Sequence, residues 1–201
     1  MSDDGSTTRE RIVRGAVELT AADGWAALTM GRLASHVGVS RQTVYNEVGS
    51  KHALAEAVVL DELGRFLDVV DAGFAAPRRD LRRALRSAVS GVLELAGTSP
   101  VLRAVVAPGA ADDLLPPLTT DAGVVIAAAS SRVAQHLDAR GVPASQARDA
   151  VVDMLVRTVI SHVMAPSSDP RAAAESIASI ATVALDVDEP APRPGRTRAD
   201  A

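Results

Sequence analysis

The sequence predicts an all-α protein. Apolar residues recur at spacings of three and four along most of the 201-residue chain, which is the period of a helix that buries one face. Ser, Thr or Asp stands before many of these segments, and Gly or Pro follows them, as is typical of helix ends. No segment alternates apolar and polar residues for long enough to indicate a strand.

Four helices are predicted between about residue 7 and residue 74. Thr7 and Glu10 have the spacing of a capping box at the start of the first helix. The other three also begin after polar caps, and glycines separate the helices. The predicted caps are Thr29, Ser40 and Ser50, and the predicted terminating glycines are Gly24, Gly38 and Gly49.

Pro77 separates these helices from a second set. Leu81, Leu85 and Val92 lie on the apolar stripe of a fifth helix. Residues 186–201 mix prolines with charges and are predicted to be a disordered tail. Further helices are predicted at about residues 100–107, 120–140, 144–165 and 171–185, with a loop at residues 108–118.

Composition excludes several kinds of site. The chain has no cysteine, which rules out disulfides, thiol nucleophiles and cysteine-ligated metals. Its four histidines are dispersed, and the sequence has no zinc-protease motif, serine-hydrolase elbow or P-loop. We therefore predict that the protein is not an enzyme and has no catalytic residue, no metal site and no cofactor.

Nothing in the sequence indicates a membrane protein. The N-terminus is acidic and polar, without the apolar segment of a secretory signal. The longest apolar run, residues 124–129, is far shorter than the roughly 20 residues that span a bilayer. We expect a cytoplasmic protein with no membrane partner. Because the net charge is −4, any DNA binding has to come from a local patch.

Residues 29–51 have the form of a helix-turn-helix. Ala34 is small where the two helices would cross, and Gly38 stands where the turn requires a positive φ. Val44 would press back against the first of the two helices of this motif. The opposite face of the second helix of the motif is then left for DNA. Arg, Gln and Thr side chains can contact guanine, adenine and thymine respectively. The outer face carries Arg41, Gln42, Thr43, Tyr45 and Asn46.

This segment resembles the N-terminal domain of TetR-family transcriptional repressors over about residues 9–60. The matching residues are Gly24–Trp25, Thr29, Ala34, Gly38–Val39–Ser40, Thr43, Tyr45 and Lys51. The resemblance implies phosphate contacts by three residues, namely Thr29, Tyr45 and Lys51. It implies base reading by four others, namely Arg41, Gln42, Thr43 and Asn46.

Some of these residues also have a purely structural interpretation. Thr29 is a helix cap in either case, and Tyr45 and Lys51 could be solvated surface residues. Trp25 is predicted to pack between the first and fourth helices. The sequence differs from the family where a His-Phe pair commonly follows the tyrosine, because this chain has Asn46, Glu47 and Val48 instead. We interpret this difference as an altered operator preference.

The resemblance further implies a helical regulatory domain that holds a ligand pocket. The predicted wall segments, residues 92–97, 101–107 and 123–130, carry few charges, which favours an apolar or amphipathic effector. Two sequence stretches are similar to a TetR subgroup associated with alkane and fatty-acid metabolism, so a fatty acyl effector is one candidate. Candidates for orienting an effector are Arg103, Asp153, Arg157 and His162, each of which could instead form a salt bridge or a core contact.

The resemblance also implies that the last two long helices pair with a second subunit. Their small residues suit close packing, either inside a core or across a two-fold axis. These residues are Ala147, Ala150, Val151, Met154 and Leu155 in one helix and Ala174, Ile177, Ala178 and Ala181 in the other.

The sequence therefore predicts a homodimeric, ligand-responsive repressor of transcription that binds a pseudo-palindromic double-stranded DNA operator. Residues 1–50 would form the DNA-binding domain and residues 51–185 the regulatory and dimerisation domain, followed by the tail at 186–201. The alternative is a helical adaptor or interaction protein whose helix-turn-helix serves only packing.

Overall fold

A computed structural model describes residues 6–75, 77, 80–106 and 122–185 of the protein. Within those ranges the secondary structure is helical throughout, which confirms the predicted all-α class. The helices are α1 (Thr8–Asp23), α2 (Met30–Val37), α3 (Arg41–Val48), α4 (Lys51–Gly73), α5 (Leu81–Thr98), α6 (Pro100–Val106), α7 (Ala122–Asp138), α8 (Gln146–Met164) and α9 (Pro170–Ala184). The loop predicted at 108–118 and the tail predicted at 186–201 lie outside the described residues.

The predicted caps position the first four helices. Thr7 accepts a hydrogen bond from the Glu10 amide, and the Glu10 side chain accepts one from the Thr7 amide, which completes the capping box. The other predicted caps each accept a hydrogen bond from the amide three residues further on, which stabilises an otherwise unpaired N–H. These caps are Thr29, Ser40 and Ser50.

The turn between α2 and α3 depends on Gly38. Its φ of 77° and ψ of 36° place it in the left-handed region, as predicted, where a side chain is strained. The amides of Gly38 and Val39 both donate to the Ala34 carbonyl, and this arrangement ends α2. Ala34 and Val44 are both buried, so the two short helices contact each other through small and branched side chains.

A first hydrophobic core joins α1, α2 and α3 to the start of α4. Ile12, Leu33, Val44 and Leu54 are completely buried in it. Trp25 lies in a short 3₁₀ turn after α1 that the sequence did not predict, and its side chain is buried as expected. This core also includes Val101 and Ala104 of α6, so it extends beyond the N-terminal segment.

A second core joins the end of α4 to α5, α7, α8 and α9. It is built from small and branched residues, with Phe74 as its one buried aromatic side chain in the described part of the chain. The 23-residue helix α4 contributes to both cores, because Leu54 and Val58 lie in the first and Val70 packs against the second. Helix α4 therefore connects the helix-turn-helix mechanically to the C-terminal helices.

An ion-pair cluster links α5 to α9. Arg82 and Arg86 both donate to the Glu175 carboxylate, with Arg86 Nη1 lying 3.1 Å from Oε2, and these hydrogen bonds lower the pKa of Glu175. A carboxyl group whose pKa is lower in the folded state stabilises the protein above its unfolded pKa of about 4.3, and loses this effect as the pH falls through the folded pKa. The ion pairs of Glu175 therefore stabilise the fold at neutral pH and not in strong acid.

We accordingly expect Glu175→Gln to lower the stability at pH 7 and to make progressively less difference between pH 4 and pH 2. Urea unfolding midpoints at pH 7, 5, 4 and 2 would measure this. Glu94→Gln, an exposed change on α5, the helix that carries Arg82 and Arg86, serves as the control. A Glu175→Gln effect as large at pH 2 as at pH 7 would contradict the ion-pair explanation.

Candidate DNA interface and internal cavity

The exposed face of α3 presents the polar residues that the sequence singled out. Val44 and Val48 are buried beneath it, so the helix packs as predicted. Val48 does so in place of the phenylalanine ring of the His-Phe pair that is common in the family. Four of the five outer residues are exposed, namely Arg41, Gln42, Tyr45 and Asn46, whereas Thr43 is half-buried. The Thr43 hydroxyl lies 2.8 Å from the Ser40 hydroxyl and so forms part of the N-terminal cap.

Two pairs of side chains along α3 hold each other in place. Gln42 Nε2 donates to Asn46 Oδ1 at 2.9 Å. The Arg41 guanidinium lies 5.6 Å from the centre of the Tyr45 ring, within cation–π range. Because residues four apart on a helix are neighbours, these contacts order the exposed face before any partner binds. The four groups can still turn towards the edges of bases, since none of them is buried.

The three predicted phosphate contacts lie on α3 and at the starts of the helices on either side of it. Thr29 caps α2, and its hydroxyl accepts from the Arg32 amide at 3.2 Å. Tyr45 lies on the exposed face of α3, where 37% of its surface is accessible. Lys51 opens α4, with Nζ 5.5 Å from the centre of the Trp25 ring. The structure thus places these residues on three adjacent helices, α2, α3 and α4.

Several arginines near this face hold the domain together. Arg32, which contributes to the positive charge of this segment, is paired with Asp23 and also donates to the Ala27 carbonyl at 2.8 Å. Arg11 donates to the Val37 carbonyl at the end of α2, at 3.0 Å. Arg9 donates to the Glu47 carbonyl near the end of α3. These arginines fix α2 and α3 against α1, and Arg32 therefore adds less free positive charge than the sequence suggests.

An internal cavity of about 170 Å³ lies between α4, α5, α6, α7 and α8. An apolar cavity of similar size in a protein core stays dry and can bind a small hydrocarbon. Each wall segment predicted from the sequence contributes to it, through Val92, Val101 and Val125 among others. Phe66 and Phe74 also line it, so half of the four aromatic residues in the chain belong to this cavity.

The four residues predicted to orient an effector do not line this cavity. Arg103 is exposed on α6. Asp153, Arg157 and His162 lie together along a shallow surface groove on α8, where Arg157 Nε donates to Asp153 Oδ2 at 2.8 Å and this hydrogen bond raises the pKa of the guanidinium. The physical reason is the register of α8, whose Leu155, Val156 and Val159 face the cavity and turn the polar residues outward.

The polar group that does line the cavity is Glu62 of α4. Only 4% of Glu62 is exposed, and its neighbours in the wall are all apolar. Its Oε2 accepts from Arg65 Nη1 at 2.7 Å, whereas its Oε1 is buried and has no hydrogen-bond partner among the described residues. The sequence contained a signal for this residue, because Leu54, Val58, Glu62 and Phe66 follow each other at steps of four and only one of them is charged.

Each of the two helices α8 and α9 has a row of exposed residues, and we call the two rows together the α8–α9 face. Its large apolar members are Met154 and Ile180, with 52% and 61% of their surfaces accessible, and Val183. The remaining members are small or polar, namely Ala147, Ala150, Arg157 and Ser161 on α8 and Ala172 and Ser176 on α9. Ala174, Ile177, Ala178 and Ala181, for which the sequence left a core or an interface open, are buried in the second core.

Two other features are absent from the described ranges. No helix there is long and apolar enough to cross a membrane. No group of three or more His, Asp or Glu side chains in the same ranges could hold a metal ion.

Two family models match the chain. Residues 12–58 match the model of bacterial regulatory proteins of the tetR family. Residues 80–183 match the model of the C-terminal domain of the bacterial tetracyclin repressor. The first match contains the helix-turn-helix, and the second contains α5 to α9.

Individual relatives agree with these models. The chain is 31% identical over 170 residues to the HTH-type transcriptional regulator AlkX of Mycobacterium tuberculosis, a match that covers 83% of this chain and 80% of the relative. The crystal structure of the TetR-family repressor AlkX from Dietzia sp. strain DQ12-45-1b, implicated in biodegradation of n-alkanes, superposes with a TM-score of 0.74 at 25% identity, over 90% of this chain and 97% of that one. A TetR-family regulator from Mesorhizobium loti shares the fold, with a TM-score of 0.63 at 18% identity, over 89% and 98% of the two chains.

Proposed function

The chain belongs to the TetR family of transcription regulators, which are not enzymes, and we propose that it is a dimeric repressor released from its operator by a small apolar or amphipathic effector. The observation that carries the proposal is the exposed polar face of α3, with a buried valine layer beneath it and two predicted phosphate contacts beside it.

Recognition of DNA would begin with the major groove. In helix-turn-helix proteins the second helix enters this groove with its N-terminal residues towards the base edges. Arg41 and Gln42 occupy the first turn of α3, where bidentate contacts to guanine and adenine are possible. Thr29, Tyr45 and Lys51 would contact the backbone phosphates, which fixes the register of the domain on the duplex.

A two-fold dimer would place two such helices on successive turns of the duplex. Pseudo-palindromic sites have half-sites about 34–36 Å apart, and a symmetric dimer matches that spacing. The α8–α9 face supports the dimer proposal, because large apolar side chains otherwise remain exposed to solvent there. Its small residues would allow close approach of the two pairs of helices.

The effector would act through a shift in population between two dimer states. A ligand in the internal cavity contacts α4, and α4 carries Lys51 at its other end. A ligand that binds more tightly to a dimer state whose two α3 helices are wrongly spaced for the operator lowers the operator affinity. The loss of operator binding free energy is set by the difference between the ligand's binding free energies for the two dimer states. The alkane connection of the Dietzia repressor supports an effector with an apolar chain, and a fatty acyl compound remains one candidate.

The first test is fluorescence anisotropy of the protein with duplex DNA from upstream of its own gene, with random duplex as competitor, at two salt concentrations. We expect specific binding that weakens as the salt concentration rises, since phosphate contacts release counterions. Salt-sensitive binding to random duplex alone would indicate a distant operator. Binding that is absent from both duplexes would favour the adaptor interpretation.

Two substitutions in α3 should separate the roles of its residues. Tyr45→Ala removes a phosphate contact and should weaken binding to every duplex alike, with the salt dependence nearly unchanged because the tyrosine hydroxyl is neutral and neutralises no phosphate. Gln42→Ala should cost roughly 1–3 kcal/mol on the preferred operator and little on random duplex, because it removes a base contact. Competition titrations with the two duplexes measure both effects. Gln135→Ala, an exposed change on α7, is the matched control. Equal losses on both duplexes for both variants would contradict this division.

A further inference from the structure

We propose that Glu62 selects the effector by its head group, and that the effector carries a hydrogen-bond donor, such as an alcohol or an amine, at the end of an apolar chain. This inference rests on the proposed role of the cavity as the effector site. It names the chemical class of ligand that the cavity accepts.

The free oxygen of Glu62 is the basis of the inference. A buried acceptor without a partner is costly, and the part of the chain that the structure describes supplies none for Oε1. Only 4% of Glu62 is exposed, so its carboxylate lies at the cavity and away from the outer surface. A donor group on a ligand would complete the hydrogen bonding of the carboxylate.

The second oxygen of Glu62 restricts the charge of the ligand. Arg65 already pairs with Oε2 at 2.7 Å, and about half of the Arg65 side chain is exposed to solvent. A neutral donor is therefore sufficient, and a second anion is unfavourable. The carboxylate of a fatty acid has no donor hydrogen and would face another carboxylate, which disfavours both charges. An ether or a plain hydrocarbon would leave Oε1 unpaired.

The surroundings of Glu62 define the rest of the ligand. Val59, Leu63 and Phe66 of α4 lie beside it, and the opposite walls come from α5, α7 and α8. Such walls suit an unbranched hydrocarbon chain, because each methylene that leaves water for an apolar site strengthens binding. Glu62 also lies on the same helix as Lys51, eleven residues away, which is roughly 16 Å along an α-helix. A ligand bound there would therefore act directly on the helix that reaches the DNA-binding end.

The test compares four probes with eight-carbon chains: octan-1-ol, octylamine, octanoate and 1-methoxyoctane, which retains an oxygen acceptor but has no donor. Dissociation constants are measured by calorimetry on the full-length protein without DNA. We expect octan-1-ol and octylamine to bind at least about tenfold more tightly than 1-methoxyoctane and octanoate, the factor expected for a hydrogen bond to a charged group.

Three variants assign that preference to Glu62. Glu62→Leu should reduce the ratio between octan-1-ol and 1-methoxyoctane to within about twofold, and Glu62→Gln should retain part of it, because the amide oxygen still accepts. Glu62→Leu should also raise the unfolding midpoint of the ligand-free protein, since it removes an unpaired buried acceptor. Glu56→Leu, an exposed change one and a half turns earlier in α4, should alter neither quantity.

Three results would overturn the inference: tightest binding of octanoate or 1-methoxyoctane, an unchanged ratio in Glu62→Leu, or binding of none of the four probes. Operator binding is measured on the same preparation without any probe. Salt-sensitive binding to the operator or to random duplex shows that the inference about the head group has failed alone, and absence of binding to both duplexes shows that the proposed function has failed.

Discussion

Replacement of Gly73 by alanine should lower the free energy of unfolding by roughly 3 kcal/mol, near the upper end of the cost of overpacking a core. An added Cβ would lie only 2.4 Å from the Cα and N atoms of Ala88, so the backbones of α4 and α5 would have to separate. For a chain of this size, each kcal/mol shifts the unfolding midpoint by about 2–4 °C, so we expect a decrease of roughly 6–12 °C.

The same substitution nine residues earlier should have the opposite sign. Gly64 is exposed in the interior of α4, and an added Cβ there meets no atom within 4 Å. Alanine is more favourable than glycine by about 1 kcal/mol inside a helix, so Gly64→Ala should stabilise the protein. Thermal unfolding at one fixed protein concentration would measure both variants. A Gly73→Ala midpoint within 2 °C of the wild type would show that α4 and α5 do not approach as closely as described.

The contact at Gly73 bears on function because it fixes the C-terminal end of α4. Phe74, the next residue, stacks on His136 of α7 with ring centres 4.4 Å apart, and its ring also lines the cavity. A ligand that moves Phe74 would therefore act on α4 close to the point where α5 restrains it. The other end of α4 carries Lys51, so a rigid α4 would convert a small displacement near the cavity into a movement of the DNA-binding helices.

The helix-turn-helix could be predicted from the sequence almost completely, because its determinants are local. A cap such as Ser40 and a glycine such as Gly38 act within a few residues, and each fixes the start or the end of one short helix. The burial of Val44 and Val48 follows from helical period alone. The turn at Trp25–Ala27 was missed because a single 3₁₀ turn has no periodic signal.

The cavity could not be predicted in the same way, because it depends on how five helices pack. The segments predicted from their low charge do line the cavity. Of the four polar residues predicted to orient an effector, three lie along the outer side of α8 and one is exposed on α6, and their role in ligand binding stays a prediction. Helical period gives the relative positions of Asp153 and Leu155 on α8, but not which side faces the interior. Glu62 is a further candidate that helical period could have indicated, since one charge on an otherwise apolar stripe conflicts with burial.

The small residues of α8 and α9 show the same limit. Periodicity groups them into faces, and both a core and an interface favour small side chains. The structure divides them, because Ala178 and Ala181 pack against α5 within the chain whereas Ala150 and Met154 remain exposed. The proposal that one face contacts a second subunit therefore required the tertiary packing, which leaves the α8–α9 face exposed within the described residues.

The largest expected effect on DNA binding is that of Ile180→Glu. Ile180 lies in the α8–α9 face with 61% of its surface exposed, so the substitution should leave the folded chain intact. In a two-fold dimer formed through this face, each subunit would bury a new glutamate at the interface, where an unpaired charge disfavours association. A monomer has one helix-turn-helix domain and loses the avidity of the second, which is roughly 10²–10⁴-fold. We therefore expect operator affinity to fall by at least about 100-fold.

Sedimentation equilibrium and operator titration at the same protein concentrations would test this expectation. Leu60→Glu is the matched control, because it makes the same chemical change at an exposed apolar residue of α4, outside the α8–α9 face. We expect Leu60→Glu to remain dimeric and to bind the operator normally, and Ile180→Glu to sediment as a monomer with unchanged helical circular dichroism. A dimeric Ile180→Glu variant with normal operator affinity would place the subunit interface elsewhere. In that case the effector could not act by changing the distance between two helix-turn-helix domains whose subunits are joined through α8 and α9.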